Sequence, residues 1–444
     1  MGTRSSGAEK LKLSRFQEPG LEKKMGTNWT DGRELVDPHA YAESGAPHDL
    51  WTRLRRESPV HRCEPEGFEP FWAITRHADI CEISKHPENY LSQPGIVVLN
   101  DEQIKIRETD GGLSAMRTII EMDPPEHRKF RKVASPRFTP RAVKGVEAAV
   151  AESARAIVDK LAGTSGEGEC DFATDVAAMH PLRILSTILG VPREMESDIL
   201  RLTNQLFGAD DPDLQRGGED PQKVAMELGM ELFQLFSGII EDRRAHPRDD
   251  LATVLATAEV DGQPMGPMET VGYFLITFTA GHDTTKNALV GGMQAFLDHP
   301  DQLKKLQNEP ELVRSAVEEI VRWATPVNYM KRTAARDLEI GGQKIREGDF
   351  LALFYASANR DESVFEDPFE FRIDRKPNPH LGFGIGEHFC IGAHFARQSQ
   401  HALWREFAGR LESVEYAGRP QHIHSSFVVG LKSLPLRYRL RPSA

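Results

Sequence analysis

The stretch that most limits how this chain can fold is a glycine-rich segment around a single cysteine near its C-terminal end. Residues 380–394 read HLGFGIGEHFCIGAH, with three glycines shortly before Cys390 and Gly392 just after it. Such a density of glycines lets a backbone turn tightly and pass close to a flat ligand. The following residues, 393–407, have the character of a helix, so Cys390 is predicted to precede a helix N-terminus. Backbone N–H groups at such an end stabilise a thiolate and lower its pKa.

A single thiolate in a loop of this kind suits axial ligation of heme iron, because sulfur donation pushes electron density onto the metal. A zinc site built on Cys390 and His394 would lack two further ligands at metal spacing. The remaining cysteines, Cys63, Cys81 and Cys170, are widely spaced and are interpreted as inert, buried side chains. No disulfide framework is expected, and a reducing cytoplasm fits this cysteine usage.

The overall composition excludes several other classes of protein. The 444 residues carry 55 basic and 67 acidic side chains, a net charge of −12, whereas a nucleic-acid binder needs a basic face. The longest uncharged apolar stretch, residues 270–281, is shorter than the ~20 residues that span a bilayer. The first 25 residues lack the apolar core of a signal peptide. We therefore expect a soluble, cytoplasmic protein with no membrane span and no nucleic-acid partner.

The spacing of apolar residues predicts a mainly α fold with small β-sheets at its margin. Helical periodicity is clearest at residues 142–161, 181–189 and 223–244. Strands are predicted as a hairpin of residues 59–61 and 71–75, a second segment of residues 338–342 and 350–354, and a third of residues 427–429 and 434–440. Residues 1–36 are expected to form a mobile tail and residues 37–444 a single domain.

The cysteine segment is similar to a known family signature. The heme-binding signature of the cytochromes P-450 resembles the pattern formed here by Phe383, Gly384, Gly386, His388, Cys390 and Gly392. The resemblance implies a single triangular-prism helical domain that holds heme b, with Cys390 as the thiolate ligand of the iron. It also implies a monooxygenase that uses O2 and takes electrons from a ferredoxin and an FAD-dependent ferredoxin reductase.

A second match to this family is the sequence AGHDTT at residues 280–285, inside a long apolar helix that begins near Met268. The resemblance implies that Ala280 lies against the heme and that Asp283 and Thr284 deliver protons toward it. An acid and a hydroxyl in a buried helix are unfavourable unless they meet water or a partner. Gly281 permits a local widening of π type at this point. The alternative is that Thr284 bonds back to a helix carbonyl and Asp283 faces solvent.

A third match is the pair Glu319 and Arg322, which share one helix face at spacing i, i+3. In the family a later arginine joins this pair and helps to fix the cysteine loop; here the resemblance assigns that role to Arg375. The alternative is a solvated surface pair, which would contribute under ~1 kcal/mol.

The fourth match lies at residues 122–131, where MDPPEHRKFR reads as a helix start. The resemblance implies that His127 and Arg131, with Arg332 and His388, hold the heme propionates, and the arginine fork suits carboxylates. A positive patch that would steer an acidic redox partner is expected from Arg128, Lys129, Lys132, Arg137 and Arg141.

The resemblance also implies an apolar substrate pocket. Its walls are predicted to include Val97, Val98, Ile276, Phe278, Thr279, Val327, Tyr329, Met330, Phe427 and Val428. The sequences of residues 320–327, 331–334 and 378–382 are similar to those of bacterial enzymes that hydroxylate sterol side chains, branched lipids or terpenes. A hydrophobic small-molecule substrate of sterol, terpenoid or fatty acid type is therefore expected.

Two other functions remain open on this fold. One is a heme-thiolate peroxygenase, and the other is a non-catalytic heme sensor or lipid carrier. The resemblance argues against the peroxygenase, because such branches of the family generally lack the acid–alcohol pair that Asp283 and Thr284 form here. The complete proton-delivery motif also disfavours a sensor or carrier. A helical scaffold without a cofactor would require all four motifs to be coincidental.

Overall fold

The structure is a computed structural model that describes residues 30–109, 117–208, 210–215 and 220–442. Its α-helices within these ranges are α1 (Arg33–Val36), α2 (Pro38–Ser44), α3 (His48–Glu57), α4 (His77–Ser84), α5 (Asp101–Thr109), α6 (Glu126–Ala134), α7 (Pro140–Gly145), α8 (Glu147–Ala162), α9 (Met179–Leu189), α10 (Glu196–Phe207), α11 (Pro221–Ala245), α12 (Leu251–Ala256), α13 (Pro267–Asp298), α14 (Pro300–Asn308), α15 (Val313–Ala324), α16 (Tyr355–Ala358) and α17 (Ala393–Arg410). Its strands are β1 (Val60–Cys63), β2 (Phe71–Ile74), β3 (Tyr90–Leu91), β4 (Glu167–Asp171), β5 (Glu259–Val260), β6 (Gln263–Pro264), β7 (Tyr329–Ala334), β8 (Leu338–Ile340), β9 (Gln343–Ile345), β10 (Phe350–Phe354), β11 (Leu411–Tyr416), β12 (Gln421–His422), β13 (Leu431–Ser433) and β14 (Pro435–Leu440).

The 32-residue helix α13 runs through the helical core and is buried on most of its faces. Its first half packs into one apolar cluster, where the rings of Phe274 and Phe278 lie 5.7 and 5.8 Å from that of Phe236. Its second half packs into another cluster, which includes Trp404 of α17. A helix that is apolar all round is stable only in such a buried place. α13 therefore gives the two core clusters a common axis.

The largest sheet has five strands in the order β1-β2-β10-β7-β3. The predicted hairpin of β1 and β2 is confirmed as an antiparallel pair. β10 pairs in parallel with β2 and antiparallel with β7. Because side chains alternate along a strand, Met330 and Arg332 of β7 face one way, and Tyr329 and Lys331 face the other. This alternation decides which residues of β7 reach the cavity described below.

Three expectations differ from the structure. Helix 142–161 is interrupted at Val146, between α7 and α8. Residues 427–429 do not form a strand, because Val428 makes only a single bridge to Val327. Leu35 and Val36 are buried side chains of α1, so the folded part includes residues that were assigned to the tail. The remainder of that predicted tail, residues 1–29, lies outside the described residues.

The predicted widening of α13 at Gly281 is wrong, because the helix is α-helical throughout. Gly281 instead allows close packing, since a Cβ there would lie 2.8 Å from Leu185 of α9. Across the ranges that are described, no helix combines the length and the apolar character that a membrane crossing requires.

Candidate active site

An internal cavity of about 240 Å³ lies between α13 and the cysteine loop. The predicted site residues that line it are Ala280, Thr284, His127, Arg131, Arg332, His388, Phe383, Gly384, Cys390 and Gly392. Of the predicted substrate residues, Ile276, Val327 and Met330 also line it. Two predicted site residues, Asp283 and Gly386, are not part of its wall. The sequence motifs that are far apart in the chain therefore meet around one space.

The loop that carries Cys390 is held by its own backbone. The Cys390 N–H donates to the carbonyl oxygen of Phe383 at 2.9 Å. Gly384 and Gly386 have φ angles of 67° and 77°, which disfavour any residue with a side chain. A Cβ on Gly386 would also overlap the carbonyl oxygen of Ser84. Gly386 thus lets the loop approach α4, whereas Gly384 and Gly392 leave the cavity wall without side chains.

The expected lowering of the Cys390 pKa is not found. Burial raises the pKa of the Cys390 thiol, although N–H groups of Gly392 and Ala393 and the charges of Arg131 and Arg397 act in the opposite direction. Removing the thiolate from water outweighs the helix N-terminus, because a charge in an apolar site loses most of its solvation. A metal cation bound to the sulfur would stabilise the thiolate and so offset the effect of burial on the pKa of Cys390.

One end of the cavity carries guanidinium groups without acidic partners. Arg131 donates from Nη2 to the carbonyl of Phe389 at 2.6 Å, and Arg332 donates from Nη1 to the carbonyl of Lys331 at 2.8 Å. Neither arginine forms an ion pair with any acidic residue in the described part of the chain. Arginines without an acidic partner can bind the carboxylate groups of a ligand.

Two histidines lie beside these arginines, with ring centroids 4.2 Å apart. The Nδ1 atom of His127 lies 3.2 Å from Oε1 of Glu387, and the Nε2 atom of His388 lies 3.0 Å from Oγ of Ser92. Burial lowers the pKa of His127. Burial, with the charge of Arg332, lowers the pKa of His388 to about 2. Near neutral pH both rings are therefore uncharged, and the two arginines carry the positive charge.

These residues fit a heme. The thiol of Cys390 and the unpaired guanidinium groups supply a soft metal ligand and partners for two carboxylates. Ala280 and Gly281 leave the facing stretch of α13 free of bulky side chains. The sequence gives no direct sign of the supporting contacts from Glu387 and Ser92, because both depend on the tertiary fold.

Asp283 and Thr284 of α13 lie in different environments, because only Thr284 lines the cavity. Thr284 lines the cavity, and its Oγ1 donates to the carbonyl of Ala280 at 2.6 Å, as the alternative interpretation proposed. Asp283 does not face solvent, because its side chain is only 7% exposed. Its Oδ1 lies 3.4 Å from Nδ1 of His282, and neither residue lines the cavity. The two groups that were expected to act together therefore do not both reach the cavity.

The predicted group of Glu319, Arg322 and Arg375 is present and fully inside the protein. Arg322 donates from Nε and Nη2 to Glu319 at 2.7 and 2.8 Å, and Arg375 donates from Nε at 3.1 Å. Arg322 also donates to the carbonyls of Asn359 and Pro368. This excludes the solvated surface pair, and loss of one partner in such a group costs about 3–5 kcal/mol. The group connects α15 with the chain that leads to the cysteine loop.

Most of the predicted substrate residues do not reach the cavity. Those that lie elsewhere are Val97, Val98, Phe278, Thr279, Tyr329, Phe427 and Val428. Helical spacing explains this on α13, where Ile276, Ala280 and Thr284 share one face and Phe278 stacks on Phe236 instead. On β7 the Tyr329 side chain points to the opposite face, and its hydroxyl accepts a hydrogen bond from the Val98 N–H at 3.2 Å.

Several wall residues were missed by the sequence interpretation. They are Ile119, Ile120, Phe138, Pro181, Ile184, Leu185, Ile188, Tyr273 and Thr277. The four in α9 follow the same apolar spacing as a core helix, so nothing in the sequence distinguishes them from core residues. Tyr273 could have been found from Ile276, and Thr277 from Ala280, because each lies three residues away on the same helix face.

The expected positive patch is largely neutralised. Arg128 pairs with Glu387 at 2.9 Å, Lys129 pairs with Asp261 at 2.5 Å, and Arg137 pairs with Asp249 at 2.7 Å. The acidic partners come from distant parts of the chain, so a local count of basic residues overstates the charge. Steering of an acidic partner is correspondingly weaker than the sequence suggests.

Comparison with known proteins decides the family. The Cytochrome P450 family model matches residues 72–404. The chain belongs to the cytochrome P450 family. The crystal structure of CYP108D1 from Novosphingobium aromaticivorans DSM12444 is similar to this one, with 36% sequence identity and a TM-score of 0.83. The similarity covers 93% of this chain and 98% of that chain. The predicted cytochrome P-450 fold is confirmed.

Named relatives in this P450 family are monooxygenases. The Steroid C26-monooxygenase of Rhodococcus jostii (strain RHA1) is 37% identical over 421 residues, which cover 93% of this chain and 86% of the relative. The Linalool 8-monooxygenase of Pseudomonas putida is 36% identical over 405 residues, which cover 90% of this chain and 97% of the relative. The protein is therefore a monooxygenase of the P450 family, whose cofactor is a heme with cysteine-ligated iron.

Proposed function

We propose that this P450 hydroxylates a C–H bond of a hydrophobic small molecule of sterol, terpenoid or fatty acid type. The observation that supports this most strongly is that Cys390 and the apolar face of α13 line one cavity. Ile276, Val327 and Met330 contribute apolar surface to it, as do the isoleucine and leucine side chains of α9. The relatives that act on a steroid and on linalool are in accord with a substrate of this kind.

In this proposal Cys390 is the iron ligand, and Arg131 and Arg332 bind the carboxylates of the heme with His127 and His388. When bound, a thiolate-ligated heme supplies the activation of dioxygen and the insertion of one oxygen atom into the C–H bond. Electrons come from a ferredoxin and an FAD-dependent ferredoxin reductase. The apolar walls exclude water from the substrate and orient it by shape.

Thr284 is proposed to hold a water at the cavity wall. Its hydroxyl hydrogen is committed to the Ala280 carbonyl, so the oxygen keeps its lone pairs for a water molecule in the cavity. Asp283 is proposed to supply the protons that this water passes on. Because its carboxylate lies behind the wall, the proton reaches the cavity through the Thr284 position.

The experiment is an absorption spectrum of the purified protein, reduced with dithionite and exposed to carbon monoxide. A Soret band at the long-wavelength position of thiolate-ligated heme is expected, and Cys390→Ala should abolish it. Cys170→Ala is the matched control, because Cys170 lies on β4, away from the cavity. A band that survives in Cys390→Ala would contradict the assignment of the ligand.

Substrate class is tested with the same protein by the shift in heme spin state on titration with steroids, terpenes and fatty acids. Turnover with a ferredoxin, its reductase and NADH should then yield a product that contains one oxygen atom from O2. A product formed at the same rate with hydrogen peroxide alone would favour a peroxygenase. Binding without any product in either system would favour a carrier or sensor.

A further inference from the structure

A second cavity, of about 280 Å³, lies between α8 and α9. Val150 of α8 and Ile184 of α9 form part of its apolar wall. Arg183 of α9 and Arg193, which follows that helix, add two guanidinium groups. Ile184 also lines the cavity beside Cys390, so the two cavities share one wall residue. The monooxygenase reaction proposed above makes no use of the second cavity.

The two arginines of this cavity lack acidic partners within the ranges that the structure describes. Arg183 is partly buried, and neither guanidinium group donates a hydrogen bond there. Glu152 of α8 also lines the cavity, but it forms no ion pair with Arg183 or Arg193. A guanidinium group that has lost part of its hydration is stabilised by an anion that accepts its hydrogen bonds. The wall therefore has a net positive charge and two donors available for a ligand.

The hydroxyl groups of the wall already donate their hydrogens elsewhere. Thr187 donates from Oγ1 to the carbonyl of Arg183 at 2.8 Å. Burial lowers the pKa of His180 to about 4, so its ring is neutral near pH 7. Its Nε2 donates to the carbonyl of Ser399 at 3.0 Å, which leaves Nδ1 to accept the Ser153 hydroxyl at 3.0 Å. An anion in this cavity would therefore depend on the guanidinium groups.

The size and the mixed wall of the cavity indicate the kind of ligand. A cavity of about 150 Å³ can already hold benzene, so this one has room for a small ring or a short chain that bears a carboxylate. A bare inorganic ion would leave the apolar wall in contact with water. A purely apolar molecule would cover the guanidinium groups without pairing them, which is unfavourable. A ligand with both an apolar part and a carboxylate avoids both costs.

We propose that the cavity between α8 and α9 is a binding site for a small organic carboxylate. Its carboxylate group accepts hydrogen bonds from Arg183 and Arg193, and its apolar part packs on Val150 and Ile184. Glu152 repels the ligand by its like charge and so limits the affinity. Neither arginine lines the heme cavity, so this site is separate from the one where the reaction takes place.

The first test is calorimetric titration of the heme-loaded protein with benzoate and with hexanoate as probes. At low ionic strength one molecule of at least one probe should bind per chain, and added salt should weaken the binding. Arg183→Gln should weaken it roughly tenfold, because a charge-assisted hydrogen bond in a partly buried place is lost. Benzyl alcohol has the same ring as benzoate but no charge, and it should bind much more weakly.

Two further variants test whether the charges of this cavity are responsible. Arg155→Gln is the matched control, because Arg155 belongs to α8 but does not line the cavity. R155Q removes one positive charge from the same protein and should leave the affinity unchanged. Glu152→Gln removes the like charge from the wall and should strengthen the binding about twofold.

Several results would overturn the proposal. One is the absence of binding for both probes at millimolar concentration. Another is an equal affinity of the wild type and folded R183Q, which would place the probe elsewhere, for example in the heme cavity. Weaker binding in E152Q, or benzyl alcohol bound as tightly as benzoate, would mean that the carboxylate does not meet these arginines. Should R183Q fail to fold, Arg193→Gln takes its place with the same expected loss.

Discussion

Gly386 shows how one missing side chain shapes the site without contacting the cavity. Its φ of 77° and the nearby carbonyl oxygen of Ser84 leave no space for the Cβ of an alanine. We expect Gly386→Ala to lower the free energy of unfolding by more than about 2 kcal/mol, because strain and a backbone clash add. Heme content should fall as well. Gly409→Ala on α17 is the control, since a Cβ there meets nothing within 4 Å; equal effects of both changes would contradict this account.

Thr284 provides a second prediction for a single residue. Thr284→Ala removes the hydroxyl that the proposed water needs, so electrons should be consumed with less product and more hydrogen peroxide. Thr284→Ser keeps a hydroxyl and should retain most of the coupling. The measurement compares NADH consumed, product formed and peroxide released for the same substrate. If Thr284→Ala couples as well as the wild type, Thr284 has no part in proton delivery.

Among the elements, α13 presents two faces with different purposes. Ile276 lines the cavity, whereas Phe278 packs on Phe236 in the core. Ile276→Ala should weaken the binding of a hydrophobic substrate by roughly tenfold, because it removes buried apolar contact. Phe278→Leu should leave binding unchanged but lower the free energy of unfolding by about 1 kcal/mol. Spectral titration and thermal unfolding measure the two effects, and a shift in binding for Phe278→Leu would contradict the assigned faces.

The site residues that could be predicted from the sequence also differed from one element to the next. The cysteine loop and the pair Glu319 and Arg322 were predicted, because each motif lies in a short stretch of sequence, whereas Arg375 was assigned only by the family resemblance. Most residues that line the substrate cavity were not predicted, because an apolar residue such as Phe278 has the same spacing whether it faces a core or a cavity. The partner of Asp283 was overlooked, although His282 stands next to it in the sequence. His282 also contacts the carbonyl oxygen of Ala178 at 2.9 Å, which only the tertiary fold brings near.

At the scale of the whole molecule, Glu318 joins parts of the chain that are far apart. Its carboxylate accepts hydrogen bonds from Arg397 of α17 at 2.6 and 2.8 Å, and it lies 3.1 Å from Nε2 of His380. Burial opposes ionisation, yet these partners lower the pKa of Glu318 from 4.5 to about 2. The carboxylate therefore stabilises the fold above pH 4.5, and this contribution is lost as the pH falls toward 2.

The corresponding prediction compares the wild type with Glu318→Gln in denaturant unfolding at several pH values. Near pH 7 the wild type should be more stable, by up to about 3 kcal/mol. The difference should shrink steadily below pH 5 as the carboxylate takes up a proton. A difference that stays constant down to pH 3 would mean that the ion pair does not act through the charge of Glu318.

The parallel pairing of β2 with β10 has a consequence for the synthesis of the protein. Residues 72–74 pair with residues 351–353, so the centre of the main sheet joins parts of the chain that are far apart in the sequence. During translation β2 leaves the ribosome long before β10 exists, and the backbone N–H and C=O groups on the edge that β10 covers stay unpaired until then. Contacts between residues so distant in sequence also form slowly. We therefore expect the sheet to close late, so that chaperone supply during expression governs the yield of folded protein.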